Sequence, residues 1–372
     1  MKIFLGCCER SGENLLRIYL NHLIKILPNA QFYCQAFSGL KKDFPNVEVL
    51  FDSELANIMG FIEPIKRLPQ LILRREAIKK WIDQHKPALF IGFDAPDFLL
   101  SIEAYARKQG AYTIHVVSPS VWAWRKNRIK KIVTSMDELH CLYAFEEKYY
   151  AHTPLKTRFI GHPLLAQKAP QLRHWPIKKL LLAPGSRDHE IKNHLPFMLK
   201  IAQQLKDESV IQEIVIAAAK GKEGIIKQYV ASSEIQVETL NEALSCAQFA
   251  LVCSGTASLE IVADGCPALI LYQVPAWKLW CLKHMIHTPY IGLPNILTQQ
   301  PLVKEFVGPL HTMYNSILTS LKLLSEHNEY QQHARNIQSV MSQLLKENDR
   351  PCLQTYLTQI VSQVSMKQAE AV

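Results

Sequence analysis

Short apolar runs alternate with helical patterns from the first residues onward. Residues 2–7, 31–37, 87–93, 112–117 and 139–143 are apolar and rich in β-branched or aromatic side chains, so each reads as a strand. Between the first two, Leu15, Leu16, Tyr19, Leu20, Leu23, Ile24 and Leu27 recur at spacings of three and four, the pattern of one helix face. The alternation pauses over residues 164–176, which hold Pro170 and Pro176 and read as a linker. It restarts with strand-like runs at 179–183, 213–219, 249–253 and 268–272. From about residue 314 the pattern is mostly helical, with a frayed end from Met366. Strand–helix alternation implies βαβ units and parallel sheet. The expectation is an α/β chain with two Rossmann-like, doubly wound domains facing a central cleft, over residues 1–165 and 176–345. Residues 346–372 are expected to form a C-terminal helix and tail.

Composition narrows the class. The 372 residues are 48% hydrophobic and 20% charged, a globular balance that suffices for two cores. No apolar run reaches the ~20 residues of a membrane-spanning helix. The apolar start is too short for a signal peptide and reads as a first strand. Nine cysteines, an odd number with no CxxC pair, read as reduced core residues of a cytosolic protein. The net charge of +9 favours anionic partners, although no nucleic-acid motif accompanies it.

Candidate chemistry clusters at strand ends. Ser118, Trp122, Trp124 and Arg125 follow the run 112–117, where ligands of open α/β sheets bind. The stretch fits a rigid wall beside a ligand and a loop capped by packed tryptophans about equally. Gly185, Ser186 and Arg187 form a turn after residues 179–183. The glycine admits close backbone approach to an anion, and the serine and arginine offer phosphate donors. Alone, such a turn is ordinarily just a turn. Ser254, Gly255 and Thr256 repeat the arrangement before a helix, and Glu260, one turn on, could accept from both ribose hydroxyls. The pair favours a nucleotide over two unrelated turns and a solvated glutamate. Glu9, Ser11, Gly12 and Glu13 occupy the first strand-to-helix turn, another ligand position. Asp94 and Asp97 flank Pro96 after residues 87–93, as helix-capping groups or as catalytic carboxylates. His162 reads first as a buried structural histidine. No histidine pair has metal-ligand spacing with a carboxylate, so no metal is expected.

Six motifs occur in order: residues 90–98, 117–125, 159–163, 182–187, 254–260 and 293–295. Together they closely resemble the lipid-A-disaccharide synthase family over residues 1 to about 345. The resemblance implies a GT-B fold and inverting, metal-independent glycosyl transfer with no cofactor. It implies UDP-2,3-diacylglucosamine as donor and 2,3-diacylglucosamine 1-phosphate as acceptor. The products would be a β-1,6 disaccharide 1-phosphate, in lipid A biosynthesis, and UDP. Asp94 is then the first choice for the base that takes the acceptor proton, and Asp97 the second. Glu9, Ser11, Gly12, Glu13, Ser118, Trp122, Trp124 and Arg125 would lie on the acceptor side. Gly185, Ser186, Arg187, Ser254, Gly255, Thr256, Glu260 and Asn295 would bind the nucleotide sugar. The chain departs from the family at Cys8, which replaces a glycine, and at Glu13, which replaces an aspartate. It departs again at Lys304, which replaces a proline, and at Gly308, which replaces a glutamine.

Residues 60–81 mix apolar side chains (Phe61, Ile62, Ile65, Leu68, Leu71, Ile72, Leu73) with six cations: Lys66, Arg67, Arg74, Arg75, Lys79 and Lys80. Alone, this fits a core helix with a charged outer face slightly better. Acylated substrates favour an interfacial helix on an anionic membrane. The expected location is cytoplasmic, at the cytoplasmic face of the inner membrane, with acylated glucosamine lipids as partners and no nucleic acid. The oligomeric state stays open, a homodimer included. Two other readings stand beside this one: another GT-B UDP-N-acetylglucosamine transferase or epimerase, and an inactive lipid- or nucleotide-binding homologue.

Overall fold

The computed structural model describes residues 1–53, 63–122, 126–163, 169–230, 235–277, 279, 288–347 and 353–370. The chain forms two compact units. One comprises Met1–Pro163 with Arg350–Val372, the other Leu164–Asp349.

The first unit holds a seven-stranded parallel sheet. Its strands are β1 (Lys2–Cys7), β2 (Gln31–Ala36), β3 (Val47–Asp52), β4 (Leu89–Phe93), β5 (Tyr112–Val116), β6 (Glu138–Cys141) and β7 (Lys156–Phe159), in spatial order β3-β2-β1-β4-β5-β6-β7. The second unit holds β8 (Lys179–Ala183), β9 (Glu213–Ala217), β10 (Gln236–Glu238), β11 (Phe249–Cys253), β12 (Ala268–Gln273) and β13 (Lys304–Gly308), ordered β10-β9-β8-β11-β12-β13. Central strands β4, β5 and β11 are buried along their whole length, as helices on both faces require.

Each sheet reverses its winding once. The reversal falls between β1 and β4 in the first unit and between β8 and β11 in the second. Ligands of doubly wound sheets bind at the carboxyl ends of strands at such a switch point. The sequence motifs at residues 8–13 and 94–97 follow β1 and β4, and those at 184–187 and 254–256 follow β8 and β11.

The last helix, Leu353–Glu370, belongs to the first unit. Leu357, Ile360, Val361 and Val364 enter the core formed by Leu16, Leu20 and Ile114. Each such aliphatic side chain contributes about 1.5–3 kcal/mol on full burial. The Arg158 guanidinium covers the Tyr356 ring at 4.6 Å. The helix runs through Glu370, past the expected fraying at Met366. The stretch read as a linker is tied down in part: Arg173 pairs with Asp264, and the Gln171 amide donates to the Asp264 carbonyl at 2.9 Å.

Candidate active site

At the first switch point the backbone is strained. Asp94 (φ +57°) and Ala95 (φ +45°) are consecutive non-glycine residues in the left-handed region, and β-branched Val117 (φ +82°), after β5, is a third. Such conformations persist where surrounding structure over-determines them, often at functional sites. Here the Asp94 amide donates to the Val116 carbonyl at 2.9 Å, and Asp94 Oδ1 accepts from the Ala95 amide at 2.9 Å. Asp94 Oδ2 accepts from the Ser11 hydroxyl at 3.1 Å. Gly12 permits this approach, because a Cβ there would stand 3.0 Å from the Phe93 carbonyl oxygen. The arrangement holds a half-buried carboxylate at a strand end with one oxygen fixed by the backbone.

The other acceptor-side candidates divide. Asp97 lies in the first turn of the helix Pro96–Lys108, exposed and paired with Arg128. Glu13 is buried, and Arg17 reaches its Oε1 with Nη2 at 2.6 Å and Nε at 3.0 Å. Glu9 is the N-cap residue of the helix Arg10–Ile26. Ser118 is buried within 3.1 Å of the Tyr150 hydroxyl. The Trp122 ring meets Phe145 edge-on at 5.6 Å, and its side chain bonds the buried carboxyl of Glu146. Burial pushes Glu146 up to about 8. Trp124 and Arg125 lie outside the described residues. His162 stacks on Tyr143 at 5.6 Å, and burial pushes it down to about 4.

At the second switch point the two turns differ in a way the sequence did not suggest. Glu190 is buried and occupies the donors of the first turn. Its Oε2 accepts from the amides of Ser186 at 3.0 Å and Arg187 at 3.2 Å, and its Oε1 from Arg187 Nη1 at 2.6 Å. The amides of Ser186 and Arg187 in this turn are therefore already paired. The helix Thr256–Ala263 has no side-chain cap, and a Cβ on its N-cap residue Gly255 would meet nothing within 4 Å. That helix start is the open one. The Ser254 hydroxyl donates to the Ile291 carbonyl at 3.1 Å. Burial raises the Glu260 carboxyl above its ordinary range. Asn295 is fully buried: its amide nitrogen donates to the Val303 carbonyl and to Glu305 Oε1, both at 2.7 Å. Glu305 also accepts from the amides of Ile291 and Gly292 at 2.9 and 3.0 Å. Asn295 thus shapes the loop that reaches Ser254. Among the described residues no three His, Cys, Asp or Glu converge to hold a metal ion.

A sequence profile described as lipid-A-disaccharide synthetase matches residues 3–361. The chain belongs to the lipid-A-disaccharide synthetase family. Two similar relatives are lipid-A-disaccharide synthases. That of Blochmanniella pennsylvanica is 34% identical over 87% of each chain. That of Glaesserella parasuis serovar 5 is 36% identical over 80% of this chain and 81% of its own. Solved structures share the GT-B fold at low identity. A UDP-GlcNAc 2-epimerase from Neisseria meningitidis bound to UDP-GlcNAc is 12% identical, with a TM-score of 0.57 over 93% of this chain and 99% of that one. Acinetobacter baumannii MurG is 11% identical, with a TM-score of 0.55 over 97% and 99%.

The departures from the lipid-A-disaccharide synthetase pattern have local accounts. Cys8 is buried and its sulfur accepts from Gln35 Nε2 at 3.3 Å. Lys304 on β13 donates to the Ser320 hydroxyl at 2.7 Å. Gly308 has φ +139°, a conformation that favours glycine, and ends that strand. Sequence reasoning missed Glu190 and His194. The Glu190 signal was present, since a glutamate three residues past a helix N-cap is half of a capping box. His194 donates from Nδ1 to the Glu190 carbonyl at 2.8 Å and accepts the Gln273 amide at Nε2 at 2.9 Å. It lies one helical turn beyond Glu190, but no sequence pattern links it to Gln273.

Proposed function

We propose that this chain joins UDP-2,3-diacylglucosamine to 2,3-diacylglucosamine 1-phosphate, forming the β-1,6 disaccharide 1-phosphate of lipid A biosynthesis and releasing UDP. The observation that carries the proposal is the placement of the family's motifs at the switch points of both sheets, with a strained aspartate at the first. The acceptor 6-hydroxyl oxygen bonds to the anomeric carbon of the donor as the bond from that carbon to the UDP oxygen breaks. The configuration inverts, UDP leaves with the electron pair, and the hydroxyl proton passes to Asp94. The open amides of the helix Thr256–Ala263 and the Arg187 guanidinium meet the diphosphate charge without a metal. Glu260 accepts from the ribose hydroxyls.

The acylated substrates place the protein peripherally at the cytoplasmic face of the inner membrane. No described helix is long and apolar enough to cross a membrane. Of the apolar residues 71–73, Leu71 packs against the first unit's core, whereas Ile72 is 48% and Leu73 71% exposed. Arg74 and Arg75 lie over Phe51 and Phe98, and Lys79 pairs with Glu76. Phe61, Ile62 and the side chains of Ile65, Lys66, Arg67 and Leu68 lie outside the described residues. The exposed pair Ile72–Leu73 supports an interfacial contact.

UDP release from the acylated donor tests the whole proposal. Release that requires the acylated acceptor and yields the disaccharide supports it. Conversion of the donor alone would favour an epimerase, and no turnover with intact UDP binding would favour a nucleotide-binding homologue.

A further inference from the structure

We propose that Glu190 is a positioning residue of the donor site, fixing one edge of the Arg187 guanidinium so that its other edge meets the donor phosphates. The proposal rests on the reading of the 185–187 turn as part of that site. Three observations carry it. First, the pair is asymmetric: the Glu190 side chain is 9% exposed and that of Arg187 43%. The buried carboxylate is the fixed partner, and the guanidinium is held against it from the solvent side. Second, the turn is built around the carboxylate. Gly185 has φ +115°, and a Cβ there would stand 2.6 Å from both Cβ and Oε2 of Glu190. Third, the Glu190 backbone is anchored too, through its carbonyl to His194 and through His194 to the amide of Gln273 at the end of β12.

Arginine presents five N–H donors in a rigid fork. Glu190 engages Nη1. The outward donors then face solvent in one orientation instead of many, which reduces the conformational freedom lost when a phosphate binds. Because Glu190 also holds the amides of Ser186 and Arg187, this turn offers the diphosphate a side chain, while the helix start at Gly255 offers backbone.

Calorimetry with UDP on the full chain tests the role, using Glu190→Gln, Arg187→Ala and the double variant. In Glu190→Gln the amide oxygen can still accept from the two backbone amides, but the NH₂ group faces Arg187 donor to donor. The expected result is a UDP Kd raised about tenfold, the scale of one charge-assisted hydrogen bond, with a nearly unchanged melting temperature. The double variant should bind no more weakly than Arg187→Ala, since Glu190 acts only through that side chain. Glu190→Asp keeps the charge but withdraws the carboxylate by one methylene, so it should weaken UDP in the same direction. It carries the test if the glutamine variant does not fold.

Unchanged UDP affinity in Glu190→Gln, or additive losses in the double variant, would overturn the positioning role. Tighter UDP binding would overturn it in the other direction, with Glu190 competing against the phosphates. If Arg187→Ala itself binds UDP normally, the donor reading of the turn fails, and the positioning role with it.

Discussion

Ser11 donates its hydroxyl to Asp94 Oδ2 at 3.1 Å, joining the turn after β1 to the turn after β4 across the first sheet's switch point. The contact exists because Gly12 lets the first helix approach the strand end and because Asp94 accepts a left-handed backbone. A carboxylate held at both oxygens cannot rotate away from an incoming hydroxyl.

Asp94→Asn keeps the shape and removes the basicity. Turnover should fall by about 10²–10⁴-fold, the usual contribution of a general base, with UDP affinity unchanged. Asp97→Asn should cost far less, because Asp97 faces solvent and pairs with Arg128. Glu13→Gln should lower the melting temperature more than the rate, because it weakens the ion pair of a buried carboxylate with the partly exposed Arg17. Rates and melting curves for the three variants decide the base. Near-normal turnover in Asp94→Asn would assign it elsewhere.

Glu260→Gln should weaken UDP about tenfold, since hydrogen bonds to a charged acceptor exceed those to a neutral one. The same substitution should leave 2′-deoxy-UDP much less affected. Equal losses for both nucleotides would remove Glu260 from the ribose.

Burial raises Glu146 to about 8. A folded-state value above the ordinary one means that its contribution to stability is fully present below about pH 4.5 and is lost as pH rises through about 8. The wild type should therefore lose stability relative to Glu146→Gln across that window, on the order of 1 kcal/mol per pH unit. His162, lowered to about 4, works oppositely: its contribution is present above about pH 6.5 and lost as pH falls through 4. Urea midpoints at about pH 5 and about pH 9 compare the two proteins. Parallel curves would refute the assignment to Glu146.

Gly92 lies over the buried pair of Glu103 and His115, whose Oε1 and Nδ1 are 2.7 Å apart. A methyl group at position 92 would collide with Glu103 Oε1. Gly92→Ala should destabilise the first unit by roughly 3 kcal/mol or more, through overpacking and a displaced buried hydrogen bond. Chemical denaturation measures it, and a loss below about 1 kcal/mol would mean that the pair relocates freely.

Replacing Ile72 and Leu73 with serine should shift the protein from anionic vesicles to the supernatant while UDP affinity stays intact. High salt should do so in part, because screening shortens to about 3 Å near 1 M. Equal vesicle partitioning by both proteins would end the interfacial reading. Leu71 is left alone in this variant because it packs inside.

The alternation of apolar runs exposed most of both sheets, because buried parallel strands are nearly pure apolar sequence. It missed β3, β10 and β13. These carry charges such as Glu48, Glu238 and Lys304, and lie at sheet edges, where one side needs no partner. The turn glycines 12, 185 and 255 were legible because their positions follow strands. The pairing of Arg187 with Glu190, Glu13 with Arg17 and Asn295 with Glu305 was not. A motif states which side chains are present, and only the fold states which of them a neighbour has already engaged.

The helix Leu353–Glu370 completes the core of a unit whose other strands all precede residue 164. Synthesis therefore delivers this piece only after the entire second unit has emerged. Until then the nascent first unit presents Leu16, Leu20 and their neighbours without their cover. A chain cut short before Leu353 would consequently be felt far back along the sequence, in the unit that carries Asp94.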